Sequence, residues 1–80
     1  MQLLTQTTVS DFASFKSAFD AEAEKRMNAG LTLLQMWHDA DDANTVLCLF
    51  DVNDRTRAKA WLDAESQTGT ALTGRFVKTA

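Results

Sequence analysis

The sequence has 80 residues, of which 45% are hydrophobic and 24% are charged, with a net charge of −3 near neutral pH. This composition is typical of a folded globular protein, and the length allows one domain, which we place over residues 1–80. The eight basic residues are scattered along the chain, which argues against a nucleic-acid partner. The first residues do not resemble a secretory signal, no segment resembles a membrane span, and Cys48 is the one cysteine, so we expect a cytoplasmic protein with no membrane partner.

The first predicted elements are a strand and an amphipathic helix. Residues 2–9 alternate between two faces and contain threonine and valine, which favour a strand. One face of this strand carries Leu3, Thr5, Thr7 and Val9. Ser10 or Asp11 can cap the helix that follows, and a glycine at position 30 can end it, so the helix is predicted over residues 10–29. Its apolar face is predicted to contain Phe12, Phe15, Phe19, Ala23 and Met27.

Two further strands, Leu31–His38 and residues 46–52, are predicted on either side of an acidic turn. Both carry large apolar residues on both faces, whereas a sheet with one face in water alternates more cleanly. We therefore expect the second face of the sheet to be covered as well. The residues expected on the face away from the helices are Leu34, Met36, Leu47 and Leu49. The pattern is equally compatible with the alternate residues of these strands on that face.

The last predicted elements are a helix over residues 54–66, which Asn53 or Asp54 can cap, a loop over residues 67–70 and a strand over residues 72–79. The inner face of this helix is predicted to contain Ala58, Trp61, Leu62 and Glu65. The element order is then β-α-β-β-α-β, which indicates an α+β ferredoxin-like fold with a four-stranded antiparallel sheet and both helices on one face. A bare second face in so small a chain predicts that the protein pairs with itself as a homodimer.

A set of residues spread over nearly the whole chain supports a more specific comparison. The set contains Asp11, Phe12, Phe15, Lys16, Phe19, Asp20, Arg26, Gly30, Asp41, Asp42, Asn44, Val46, Asp51, Ala58, Trp61 and Leu62. Together they resemble the dimeric α/β-barrel superfamily, and within it the small uncharacterised members related to antibiotic-biosynthesis monooxygenases and stress-responsive barrel proteins. The resemblance implies a homodimer of two sheets packed face to face, with a small organic ligand in the cleft between sheet and helices. The asparagine, tryptophan and histidine set of the haem-degrading members is not matched, so we expect no haem and no other cofactor.

Three polar residues are candidates for catalysis at such a cleft. His38, the one histidine, precedes the acidic turn, where a carboxylate could keep it protonated. Asp51 interrupts the third strand and could face the cleft with Arg75 or His38 as its partner. A histidine or an aspartate at the end of a strand is, however, more often an ordinary surface residue or half of a structural ion pair. Trp37 and Trp61 are candidates for ligand binding, although tryptophan in a small domain more often belongs to the core or to an interface.

Other polar residues are expected to have structural roles. Arg26 is expected to pair with Glu22 and to interact favourably with the helix dipole. Cys48 lies in the most apolar strand, where a thiol is usually buried and unreactive. One histidine and one cysteine provide no metal-ligand spacing, so no metal site is expected.

The sequence leaves two main functions open. The first is a homodimer that binds a small organic ligand without turnover. The alternative is a cofactor-independent monooxygenase or related enzyme acting on a small aromatic or polyketide-like substrate, with Trp37, His38, Asp51 and Arg75 at the cleft. An enzyme should gather polar side chains inside an apolar pocket, whereas a pure interaction module should fill that space with Leu, Met and Trp. An RNA-binding domain of this topology needs basic surroundings that the third strand lacks, and an amino-acid-sensing domain usually accompanies a larger enzyme chain.

Overall fold

The elements follow the order β-α-α-β-β-α-β in the structure, a computed structural model that describes residues 1–67 and 71–80. Their bounds are β1 (Gln2–Thr8), α1 (Phe12–Ala21), α2 (Ala23–Asn28), β2 (Leu31–His38), β3 (Thr45–Val52), α3 (Arg55–Ser66) and β4 (Thr73–Val77). The four predicted strands and both predicted helical regions are present, although β4 is shorter than the strand predicted over residues 72–79. The loop predicted over residues 67–70 falls mostly outside the described residues.

The four strands form one antiparallel sheet in the order β2-β3-β1-β4. The two central strands, β1 and β3, are each followed by helices, which is the ferredoxin-like arrangement. The predicted α+β ferredoxin-like fold is therefore confirmed. The core lies between the sheet and the helices, and its buried members are Leu3, Ala29, Leu31, Val46, Cys48, Phe50, Ala58 and Leu62. No helix in the described ranges combines the length and the hydrophobicity needed to cross a membrane.

Alternation along the central strands assigns their side chains to two faces of the sheet. Leu3 lies opposite Phe50, Thr5 lies opposite Cys48, and all of them are buried on the side of the helices. The predicted alternation of the first strand is thus confirmed. We call the other side, which faces away from the helices, the open face.

The helix predicted over residues 10–29 is interrupted at Glu22, so this prediction is correct only in part. Asp11 caps α1, because its carboxylate accepts a hydrogen bond from the backbone N–H of Ser14 at 3.1 Å. At Glu22 the backbone has φ −100° and ψ 16°, and α2 begins at the next residue. The interruption changes the phase of the helix surface. Met27, predicted to face the core, is consequently 70% exposed.

Gly30 ends the helical region, as predicted. Its φ of +74° lies in the left-handed region, which favours glycine. The backbone carbonyl of Gly30 accepts a hydrogen bond from the N–H of Asn53 at 2.9 Å, which fixes this turn against the end of β3. A Cβ at position 30 would lie 2.8 Å from Asn53 Oδ1. Glycine therefore satisfies both the backbone conformation and the available space.

A β-bulge in β2 decides which residues of that strand face the helices. The pairing with β3 shifts between Leu33 and Gln35, so Leu34 is the extra residue of the bulge. Met36 consequently lies opposite Cys48 and packs against the core. The expectation that Met36 belongs to the open face is therefore wrong, because a single inserted residue exchanges the two faces of the strand that follows it.

The same bulge places Trp37 on the open face, opposite Leu47, with 44% of its surface exposed. Leu47 and Leu49 occupy the open face, as expected. Leu4 and Arg75 lie opposite each other on the same face. The open face is thus an apolar surface with polar residues interspersed.

The second predicted helix is α3, and its predicted cap and inner face are confirmed. Asp54 Oδ1 accepts a hydrogen bond from the backbone N–H of Arg57 at 3.2 Å. Ala58 and Leu62 are buried, and Trp61 packs partly buried against the core. This orientation brings the indole of Trp61 over the side of the sheet that α1 also covers.

Candidate ligand-binding site

A cavity of about 270 Å³ lies between the sheet and the helices. Residues of β1 and β3 form its floor, and residues of α1, α2 and α3 form its walls. The large apolar side chains of its lining are Phe15, Phe19, Phe50, Trp61 and Leu72. Ala18 and Glu22 also line the cavity and are exposed, so the cavity meets solvent beside the junction of α1 and α2. Its volume is near the lower end of the range for small-molecule sites.

The floor of the cavity contains small polar side chains. Thr5 and Thr7 point toward the helices, because they alternate with open-face residues, and both are buried. Cys48 lies opposite Thr5 and is 3% exposed. Burial raises the pKa of the Cys48 thiol, and a hydrogen bond with Thr5 and the charge of Arg26 oppose this effect. The thiol is therefore protonated at neutral pH, which leaves it a poor nucleophile.

Aromatic rings form a continuous series along the cavity. The ring centroids of Phe15 and Phe19 are 5.7 Å apart, and those of Phe19 and Phe50 are 6.4 Å apart. The rings of Phe50 and Trp61 meet edge to face at 5.8 Å. The indole Nε1 of Trp61 is buried and has no hydrogen-bond acceptor among the described residues. The wall is thus apolar, with one donor that the described protein atoms leave unsatisfied.

Arg26 brings a positive charge into this apolar setting, with 8% of its surface exposed. Its Nη1 atom donates a hydrogen bond to the backbone carbonyl of Phe19 at 2.7 Å, and its Cζ atom lies 3.4 Å from the centroid of the Phe19 ring. Desolvation lowers the pKa of the guanidinium from its ordinary value, while Cys48 and nearby carboxylates act in the opposite direction. Arginine stays protonated in proteins, so the cavity lining contains a buried cation.

The carboxylates near Arg26 are engaged elsewhere or lie at the surface. Asp20 binds Lys16 at 2.7 Å, and Glu65 binds Lys25 at 2.9 Å, an interaction that raises the pKa of Lys25. The expected ion pair between Arg26 and Glu22 is not among the ion pairs of the described residues. That prediction is wrong, because Arg26 turns inward and contacts Phe19 instead.

His38 does not line the cavity. Its Nδ1 atom lies 3.0 Å from the carbonyl oxygen of Ala43, within hydrogen-bonding distance, at the turn between β2 and β3. Its ring packs against Phe12, with the centroids 4.3 Å apart. The structure thus places His38 beside the N-terminal end of α1, where it links the turn to the helix.

The other sequence-derived candidates are also dispersed. Asp51 is exposed and pairs with Gln2 of β1, while Arg75 lies on the open face opposite Leu4. The three catalytic candidates are therefore not brought together, and none of them lines the cavity between sheet and helices. Of the two tryptophans, Trp61 lines this cavity, and Trp37 lies on the open face.

Arg26 is the residue of the site that the sequence reasoning missed. Arg26 follows Glu22 by four residues, a spacing that favours an ion pair on the helix surface. Its spacing from the phenylalanines of the first helix, in contrast, indicates an inward position. Arg26 follows Phe19 by seven residues, and Phe19 follows Phe12 by seven, which places all three on nearly the same side of a helix. A basic residue at the end of an apolar stripe was the available signal.

The remaining chemistry of the described chain offers little for metal binding. No group of three or more histidine, cysteine, aspartate or glutamate side chains in residues 1–67 and 71–80 is arranged to hold a metal ion. No protein-family model matches this sequence, and no curated protein matches it either.

Proposed function

We propose that this protein binds a small organic molecule in the cavity between the sheet and the helices, as a homodimer of the dimeric α/β-barrel type. The observation that carries the proposal is the cavity itself, about 270 Å³ in volume, with aromatic walls and a few buried polar groups. Sites for small molecules combine a mostly apolar concave surface with a small number of polar groups that orient the ligand. Thr5, Thr7 and Arg26 are polar groups of that kind.

Two features favour binding over a role in protein interaction alone. A module that only presents a surface has no need of an internal space, and such a space costs stability when it is left unfilled. Here the interior between α1 and α3 is open rather than filled by leucine, methionine and tryptophan side chains. The polar groups of its lining are hydroxyl, thiol, indole, guanidinium and carboxylate groups, which suit recognition of a ligand.

The monooxygenase alternative receives no comparable support. General acid–base catalysis needs a group within hydrogen-bond reach of the substrate. His38, Asp51 and Arg75 lie outside the lining of the cavity. Turnover of a small aromatic or polyketide-like substrate therefore stays a prediction from the sequence.

The open face supports the homodimer part of the proposal. It carries Leu4, Leu47 and Leu49, with Trp37 44% exposed at one side. An exposed apolar surface of this kind in a small domain commonly marks an interface. Two sheets packed through this face would give the barrel that the resemblance implies, with one ligand cavity per subunit on the outside of the paired sheets.

Fluorescence of Trp61 tests the ligand-binding proposal. The chain has two tryptophans, so Trp37→Phe leaves Trp61 as the single reporter inside the cavity, and Trp61→Phe leaves Trp37 as the control. We expect small aromatic compounds to change the emission of the first variant saturably and to leave that of the second unchanged.

A blocking variant makes the test specific to the cavity. Ala18→Phe places a ring at the mouth of the cavity and should abolish the change, whereas Ala13→Phe, at another exposed position of α1, should preserve it. Saturable binding that survives Ala18→Phe, or no binding by any compound of a broad panel, would contradict the proposal.

A further inference from the structure

Two buried side chains of the cavity lining, Arg26 and Trp61, have hydrogen-bond donors with too few acceptors. The guanidinium of Arg26 carries five N–H groups, and one contact within the described chain, from Nη1 to the carbonyl oxygen of Phe19, accounts for one of its nitrogens. Trp61 Nε1 is a second buried donor, and it has no acceptor among the described residues. Buried donors without acceptors cost stability. A ligand that supplies acceptor oxygens would satisfy both groups.

The charge of Arg26 favours an anion over a neutral acceptor as its hydrogen-bond partner. A buried cation is unfavourable unless an anion and hydrogen bonds compensate it. Asp20, Glu22 and Glu65 stabilise the guanidinium charge from a distance, but none of the ion pairs of the described residues joins a carboxylate to Arg26, and Asp20 and Glu65 are bound to Lys16 and Lys25. The contact with the Phe19 ring compensates only part of the desolvation.

The shape and surface of the cavity restrict the rest of the ligand. Its walls contain the rings of Phe15, Phe19, Phe50 and Trp61, so the body of the ligand should be flat and apolar. The lining contains one guanidinium and also the carboxylates of Glu22 and Glu65, so the site suits a ligand with no more than one negative charge. A volume of about 270 Å³ accommodates a molecule with one aromatic ring and a short chain.

We propose that the cavity binds a small aromatic monocarboxylic acid, with the carboxylate at the guanidinium of Arg26 and the ring among the phenylalanine side chains. This inference rests on the proposed ligand-binding function and adds the chemical class of the ligand. A planar guanidinium matches a carboxylate through paired hydrogen bonds, and such charge-assisted bonds are the stronger ones in proteins. The carboxylate also offers acceptor oxygens to Trp61 Nε1.

A matched acid and amide test the inference. Hydrocinnamate and hydrocinnamamide have nearly the same size and the same ring, but only the acid is charged at neutral pH. Calorimetric titration of the wild-type protein, with Trp61 fluorescence of the Trp37→Phe variant as the second readout, should show affinity for the acid higher by about tenfold or more. Because this comparison needs no substitution at Arg26, it does not depend on how a variant folds.

Three arginine variants test whether Arg26 produces the preference for the acid over the amide. Arg26→Met should remove the preference for the acid, and Arg26→Lys should restore part of it. Arg75→Met changes an exposed arginine on the open face and should leave both affinities unchanged. Circular dichroism spectra matching the wild type would show that each variant is folded.

The outcomes separate this inference from the proposed function. Equal affinity for acid and amide in the wild-type protein would overturn the aromatic-acid inference and leave the ligand-binding function standing. An acid preference that Arg26→Met preserves and Arg75→Met removes would also overturn it. If neither compound nor any other small aromatic molecule gives a calorimetric binding isotherm or changes the emission of the Trp37→Phe variant, both the inference and the proposed function fail.

Discussion

Arg26 contacts Phe19 twice: its guanidinium carbon lies 3.4 Å from the centroid of the ring, and its Nη1 atom donates a hydrogen bond to the carbonyl oxygen of the same residue at 2.7 Å. The hydrogen bond joins α2 to the last turns of α1 across the interruption at Glu22. An arginine side chain that is held by both a hydrogen bond and a ring contact has few alternative rotamers. The guanidinium is therefore preorganised at the cavity before any ligand arrives.

We expect the two residues to be energetically coupled. In a double-mutant cycle of Phe19→Leu and Arg26→Met, the coupling energy should be about 1 to 2 kcal/mol, because the ring–cation contact lies away from water. Arg26→Met alone should change the free energy of unfolding by less than about 1 kcal/mol, since removing a buried charge offsets the lost contacts. Urea unfolding of the four proteins measures these quantities.

The control cycle pairs Arg26→Met with Phe12→Leu. The ring of Phe12 packs against Phe15 and His38, so we expect the two substitutions to be additive within about 0.5 kcal/mol. A coupling energy at Phe19 no larger than that at Phe12 would show that the contact with Arg26 is not energetically significant.

Gly30→Ala should destabilise the protein by about 1 to 3 kcal/mol. Its φ of +74° is unfavourable for alanine, and the new Cβ would lie 2.8 Å from Asn53 Oδ1 and 3.1 Å from the backbone nitrogen of Asp54. Asn28→Ala, at an exposed position of the same helix end, should change the free energy of unfolding by less than about 0.5 kcal/mol. Thermal or urea unfolding distinguishes the two, and equal stability of both variants would contradict the steric argument.

The sequence predicted the element order because its signals are local. Alternation in the first strand, the Asp54 cap and the glycine at position 30 each act within a few residues, and each prediction was confirmed. The two errors of orientation have a common cause. The bulge at Leu34 adds one residue to β2, and the interruption at Glu22 breaks the regular phase of the helical region, so residues that follow each of them change sides.

Those phase shifts also explain why the candidate site was poorly predicted. Met27 and Met36 were assigned to the wrong sides, and Arg26 was expected to pair with Glu22. Neither shift is marked by proline or glycine in the sequence, so only packing of the whole chain reveals it. Trp61 was identified correctly as an inward residue, because α3 is regular from its cap to its end.

Stability should fall at alkaline pH because of Cys48. Burial raises the pKa of its thiol in the folded protein, so the folded state binds the thiol proton more tightly than the unfolded state does. The corresponding stability is complete below the unfolded pKa and is lost as pH rises above about 8.5 toward the folded pKa. Urea unfolding at a series of pH values should show this decline, and the Cys48→Ala variant should lack it.

A second residue, Lys25, also stabilises the folded protein less as the pH rises, but it does so over a higher pH range than Cys48. Lys25 also has a raised pKa, through its hydrogen bond with Glu65, but the unfolded pKa of lysine is about 10.4, so its contribution changes at higher pH. Measurements between about pH 7 and pH 10 therefore isolate the thiol. An identical pH profile in the wild-type protein and in Cys48→Ala would refute the assignment to Cys48.

The proposed homodimer predicts a solution mass of twice the chain mass of 8.9 kDa. Leu49→Asp should convert the dimer to a monomer at the same concentration, because a charge on the open face would be desolvated without a partner. Ala60→Asp, at an exposed position of α3, should leave the mass unchanged. Light scattering coupled to gel filtration measures all three.

Trp37 provides an independent readout of the same interface. In a Trp61→Phe background it is the single tryptophan, and its position on the open face makes its emission sensitive to pairing of the sheets. Dilution below the dissociation constant should shift its emission to longer wavelength, because the indole would then contact water. A wild-type mass of one chain, with emission that does not change on dilution, would reject self-pairing through this face. Ligand binding in the cavity would be unaffected by that result, because Trp61 and Arg26 lie on the opposite side of the sheet.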